Sequence, residues 1–232
     1  MLYYHRSPRQ CSYFHLGIFC FHANRYLTYL ASHVNSNKFH AGNTVYIGLG
    51  LSAPSESNRW IKSSVSLASF CIGSFCFSRF HRFFTPSRRW VLCASFIAQT
   101  VLILLAAGIL TWGPHSANPK EEITWNILVP IALVAFQSCG QAVTSRALKY
   151  NALTSVVLTS IYCDLFSDAE LFVLHNVERN RRMSAPILLL FGAVSGGLLA
   201  HSTIGTAGVL WIAAGLKFLV VVSWFLWKPA DD

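Results

Sequence analysis

From Trp90 to Trp112 the chain reads WVLCASFIAQTVLILLAAGILTW, 23 residues with no charge and Gln99 as the one strongly polar side chain. Apolar residues do not alternate with polar ones, so a helix here presents hydrocarbon on every side and asks for an apolar solvent. At 1.5 Å per residue it is about 35 Å long, enough to cross a hydrocarbon core of about 30 Å. The tryptophan at each end suits a membrane interface.

Similar segments recur. Ser63 to Ser78 lies between Lys62 and Arg79, with Trp60 ahead of it. Ile123 to Val143 contains Pro130, Gln137, Gly140 and Gln141, and Ser184 to His201 carries Gly192-x-x-x-Gly196. Thr206 to Trp227 is the last, with Lys217 near its middle. Ahead of the serine-rich loop Ser52 to Arg59 the pattern weakens. Leu27 to Leu51 is broken by Asn35, Asn37, Lys38, His40 and Asn43, and the short run Cys11 to Phe21 by His15. The pattern divides the chain into a poorly packed N-terminal segment, 1–40, a transmembrane helical domain, 41–228, and a polar tail, 229–232.

Composition supports a membrane protein: 53% of residues are hydrophobic and 12% charged, about half the charged share of a soluble domain. A formal net charge of +9 would suit a nucleic-acid partner, but the arginines sit at the ends of apolar segments with no nucleic-acid motif, so the expected partner is the lipid bilayer. Basic residues then orient the chain. The loop holding Arg79, Arg82, Arg88 and Arg89 is expected in the cytoplasm, as are Arg146 and Lys149, and Arg179, Arg181 and Arg182. Gly113 to Glu122 fits the opposite side. Ala152 to Phe166, between two basic clusters, therefore lies along the interface or enters and returns; a full crossing would add a span. The expected fold is all-α: a polytopic transmembrane helix bundle of about six spans, with one short re-entrant or interfacial segment.

The order of motifs resembles the YoaK-like family, uncharacterised multi-pass membrane proteins of bacteria and fungi. The matching pieces are AGNTVYIGLGLS from Ala41, the span around SLASFCIGSF, SRRWVLCASFIAQTVL, AFQSCGQAVTSRALKYNALTSVVLTSIYCDLFSD, and ERNRRMSAPILLLFGAVSGGLLA. They extend from Ala41 to Ala200. Ala41 stands where the family pattern has a threonine, and residues 1–40 do not show the apolar first helix the family usually begins with. The resemblance implies a helical membrane fold and no established activity.

Several polar residues inside apolar runs are candidates for a solute pathway. Gln137, Gln141 and Ser145 are four apart and share a helix face, with Arg146 following. An amide in lipid must face protein or water, so this stripe either lines a path or bonds neighbouring helices. Asp164 ends the short segment that holds Thr154, Thr159 and Tyr162. It is expected either in a polar cavity beside Arg146 or Lys149, or in water at the interface. Asn43 and Thr44, after Gly42, bind a solute or cap a helix start. Lys217 asks for an acidic partner or a tilted helix. Gly192 and Gly196 form a flat face for a neighbouring helix.

The seven cysteines are scattered without a Cys-x-x-Cys pair, and the nine histidines show no metal spacing. They predict neither a metal site nor a disulfide frame. No catalytic motif or cofactor fingerprint occurs, so the chain is read as a non-enzyme without a cofactor. The expected function is movement of a small polar or anionic solute. A non-transporting scaffold or assembly protein is the second reading, and a membrane-embedded enzyme the third.

Overall fold

A computed structural model of the protein describes residues 40–55, 58–84, 89–114, 123–147, 158–168 and 176–226. Among the described residues the regular elements are all α-helices: α1(His40–Ser52), α2(Arg59–Phe84), α3(Arg89–Trp112), α4(Trp125–Ala147), α5(Leu158–Phe166), α6(Val177–Ala200) and α7(Gly205–Leu226). The expected N-terminal segment, except His40, and the C-terminal tail lie outside them.

Four helices are long and apolar enough to cross a membrane: Arg59–Phe84, Trp90–Trp112, Trp125–Thr144 and Gly205–Ser223. The expectation of six spans is therefore met by four among the described residues. The other two expected crossings fall on α1 and α6. Helix α6 has 24 residues, of which Leu190–Ala200 forms a shorter apolar helix among the described residues. Helix α1 is described over 13 residues, about 20 Å.

Helix α2 runs well past the expected Ser63 to Ser78, because charged residues do not end a helix whose backbone groups have no other partners. Helix α6 begins earlier than expected for a local reason. Asn176 caps it, its side-chain oxygen accepting the Arg179 backbone N–H at 3.0 Å. The basic residues therefore form the first turns of α6 instead of preceding it.

The helices pack in the order α1, α2, α4, α3, α7, α6, α5. Their directions follow from paired contacts. Gly73 and His81 on α2 meet Cys139 and Thr144 on α4 in the same sequence order, so those helices run parallel. Gln99 and Gly113 meet Gly140 and Asn126 in reverse, so α3 is antiparallel to α4. Trp211 donates to Thr111 Oγ1 at 3.1 Å, and Val220 and Val221 cluster with Phe96, so α7 is antiparallel to α3. Helices α2, α4 and α7 thus point one way. The ends carrying Arg79, Arg82 and Arg146 lie together, as one basic face requires. Helix α5 is described over nine residues, about 14 Å.

Where α3, α4 and α7 meet, Ile103, Ala106, Ala107, Val134, Val209, Leu210, Ala213 and Ala214 form the apolar core, with Leu199 and Ala200 of α6 against it. Large apolar side chains also cover the outside, among them Val101, Leu104, Leu105, Phe218 and Phe225. Polar ones lie inside: Gln99, Gln137, Gln141 and Lys217 are all buried. A water-soluble domain has the opposite arrangement; an apolar solvent favours this one.

Candidate functional site

Helix α4 carries Gln137, Gly140, Gln141 and Thr144 at helical positions i, i+3, i+4 and i+7, one continuous face. All four are buried. Gly140 allows that face to close: a Cβ there would stand 2.8 Å from Gln99 Nε2 and 2.9 Å from the Phe77 ring. Gln99 of α3 therefore lies flat against the glycine, between the levels of the two glutamines. From α7, Lys217 Nζ donates to Gln137 Oε1 at 2.6 Å. The ammonium is a donor only, so the glutamine must turn its oxygen toward it, and its NH2 points elsewhere.

The seam continues toward the basic end. The Thr144 hydroxyl donates to the Gly140 carbonyl at 2.7 Å. Its one proton is used there, so in the 3.1 Å contact with His81 Nε2 the threonine oxygen accepts and the imidazole donates. On α3, Gln99 Nε2 donates to Ser95 Oγ at 3.2 Å. Several buried atoms nonetheless lack a hydrogen-bond partner: Gln99 Oε1, Gln137 Nε2, both amide atoms of Gln141, and His81 Nδ1. Leaving such groups dry and unpaired costs about 1–3 kcal/mol each by mutational measure.

Of the expected pathway residues, Gln137 and Gln141 are in this seam. Arg146 is exposed two residues beyond Thr144. Asp164 is exposed on α5, which packs against α6, and the structure does not bring it to the glutamines. Its backbone carbonyl accepts from Arg182 Nη1 at 3.3 Å, and Arg182 also pairs with Asp168 at 3.5 Å. Thr159 lies on α5, whereas Thr154 and Lys149 fall outside the described residues.

Asn43 is not a helix cap. It lies within α1, is buried, and donates from Nδ2 to Ser66 Oγ on α2 at 3.3 Å. Thr44 beside it is exposed. Gly192 and Gly196 are both buried, on the α6 face that continues to Leu199 and Ala200, while Leu190, Val194 and Leu198 are exposed. Lys217 is bonded to the Gln137 amide oxygen.

Sequence reasoning missed Gln99, Thr144 and His81 as members of the seam. Gln99 was visible as the one strongly polar residue of its run, and Thr144 falls on the glutamine face. Among the described residues, no three His, Cys, Asp or Glu side chains gather to hold a metal.

A family profile described as DUF1275, protein of unknown function, matches residues 26–223. The chain belongs to the DUF1275 family. The match takes in every helix bearing the seam, from His81 to Lys217, and so places this interior within the family's common region. DUF1275 includes the YoaK-like membrane proteins, which bears out the resemblance at the level of that family. No curated protein and no solved structure gives a significant match.

Proposed function

We propose that this DUF1275 protein is a multi-pass integral membrane protein that moves a small polar or anionic solute through the seam of Gln99, Gln137, Gln141 and Lys217. One observation carries the reading: amide atoms of three glutamines stand unpartnered in the middle of a bundle whose outside is apolar. Hydrocarbon offers such atoms nothing, so what satisfies them is a polar guest or water. The side chains are at 1% exposure or less, so this conformation is closed, and passage requires a helix to move. Alternation between closed and open states is how a membrane protein keeps such a path from leaking.

The second reading is a scaffold whose buried polar groups only hold helices together. The Lys217–Gln137 bond favours it, since interhelical hydrogen bonds contribute about 1 kcal/mol each without any transport.

Swelling of proteoliposomes in iso-osmotic gradients separates the two. The panel is urea, glycerol, potassium formate and potassium nitrate, each against empty liposomes, with valinomycin present so that potassium crosses with the anion. Transport predicts faster swelling with at least one solute and its loss in Gln141→Leu. Rates equal to empty liposomes for the whole panel would leave the scaffold.

A further inference from the structure

The chemistry of the seam names its guest more closely. None of the four membrane-capable helices contains an aspartate or glutamate, while α2 and α7 each bury a lysine, Lys62 and Lys217. The charge these helices bring to the interior is therefore positive. A cation would meet like charge in a medium of low dielectric, where repulsion is strongest.

The glutamines add donors without adding charge. The Lys217 bond fixes the orientation of Gln137, so its unpartnered atom is an NH2 donor. Neither amide atom of Gln141 has a partner, so that group is free to present its NH2 as well. Gln99 is held by Ser95 Oγ, which both donates and accepts. Its amide can therefore flip and turn an NH2 inward while keeping that bond. One ammonium bonded to Gln137, with the amides of Gln99 and Gln141 in the same seam, matches a single negative charge surrounded by hydrogen-bond acceptors. A divalent anion would bring a second charge that this set does not neutralise, and burying an excess charge is costly.

We infer that the seam between α3, α4 and α7 is a binding site for a small monovalent anion, held by Lys217 Nζ and the amide groups of Gln99, Gln137 and Gln141. The inference rests on the proposed solute-moving role for its location, but binding is measured without flux. Toward the basic end of α2 and α4, Arg82 and Arg146 stand exposed. An anion leaving the seam meets increasing positive potential on that side.

The probe is nitrate, a planar monoanion of three acceptor oxygens, titrated calorimetrically into detergent-purified full-length protein, with gluconate as a bulky anion at matched ionic strength. Saturable nitrate binding is expected in the wild type and none with gluconate. Gln141→Leu and Lys217→Met should each weaken nitrate by about tenfold or more, the loss of one charge-assisted hydrogen bond. Gln141→Leu leaves the Lys217–Gln137 bond untouched and serves if Lys217→Met does not fold. No saturable binding in the wild type, or equal affinity in the folded variants, overturns the inference. In the liposome assay, movement of urea or glycerol without nitrate also overturns the anion site while leaving transport standing. Nitrate binding without flux of any solute does the reverse.

Discussion

Lys217 of α7 and Gln137 of α4 are joined by a 2.6 Å hydrogen bond inside the bundle, their side chains 1% and 0% exposed. They lie 80 positions apart in sequence. The bond ties the last long helix to the helix that packs between α2 and α3, and it makes Gln137 a structural residue as well as a candidate ligand. Gln137→Leu should destabilise the protein by about 1.5–3 kcal/mol, the usual contribution of a hydrogen bond to a charged group. Adding Lys217→Met should recover part of that loss, because the uncompensated charge is then gone. Thermal unfolding in one detergent measures both; a double variant less stable than the sum of the singles would show that the bond is not the coupling.

Close helix contacts make a second prediction. A Cβ on Gly73 would stand 2.7 Å from the Phe136 backbone carbonyl and 2.6 Å from Cys139 Sγ. Backbone cannot step aside cheaply, so Gly73→Ala should cost about 1–3 kcal/mol by forcing α2 from α4. At Gly197 a Cβ meets nothing within 4 Å. There the same change should be neutral, or stabilising by up to about 1 kcal/mol through helix propensity. Equal effects at the two sites, read as unfolding temperature, would count against the packing of α2 on α4.

The buried glycines of α6 make a third. Gly196→Leu should lower the yield of detergent-stable protein far more than Leu190→Phe, because Gly196 is buried and Leu190 is 67% exposed. Size-exclusion profiles of the two variants decide it. Similar monodisperse yields would place the α6 contact elsewhere.

Orientation is the fourth. The basic ends of α2 and α4 lie on one side of the bundle, next to each other through His81 and Thr144. That side should be cytoplasmic, because arginines are retained there. Cysteines introduced at Ser87 and Lys149 in a cysteine-free background should react with a membrane-impermeant maleimide only after the membrane is opened. A cysteine at Ser55, in the loop between α1 and α2, should react from outside. The reverse labelling pattern would invert the topology.

The sequence alone determined three of the long helices to within four residues at each described end. Trp90 to Trp112, Ile123 to Val143 and Thr206 to Trp227 became Arg89–Trp112, Trp125–Ala147 and Gly205–Leu226. An unbroken apolar run must close its own backbone hydrogen bonds wherever it meets lipid, so its length and helicity follow locally. The glutamine face of α4 was legible for a similar reason, since helical spacing alone aligns Gln137 with Gln141. Where charges interrupt the run the reading failed: α2 and α6 continue through residues taken as their limits, α6 because Asn176 caps it three residues before Arg179. Only the tertiary structure decided which helix lies beside which. Apolar surface matches lipid as well as it matches another helix, so hydrophobicity carries no record of neighbours. That choice falls to steric fit at a few small residues, such as Gly73 on Phe136 and Gly140 on Gln99, and to polar groups that must find one another. It is why Asn43 bonds Ser66 and not a helix start, and why Lys217 lies against an amide 80 positions away.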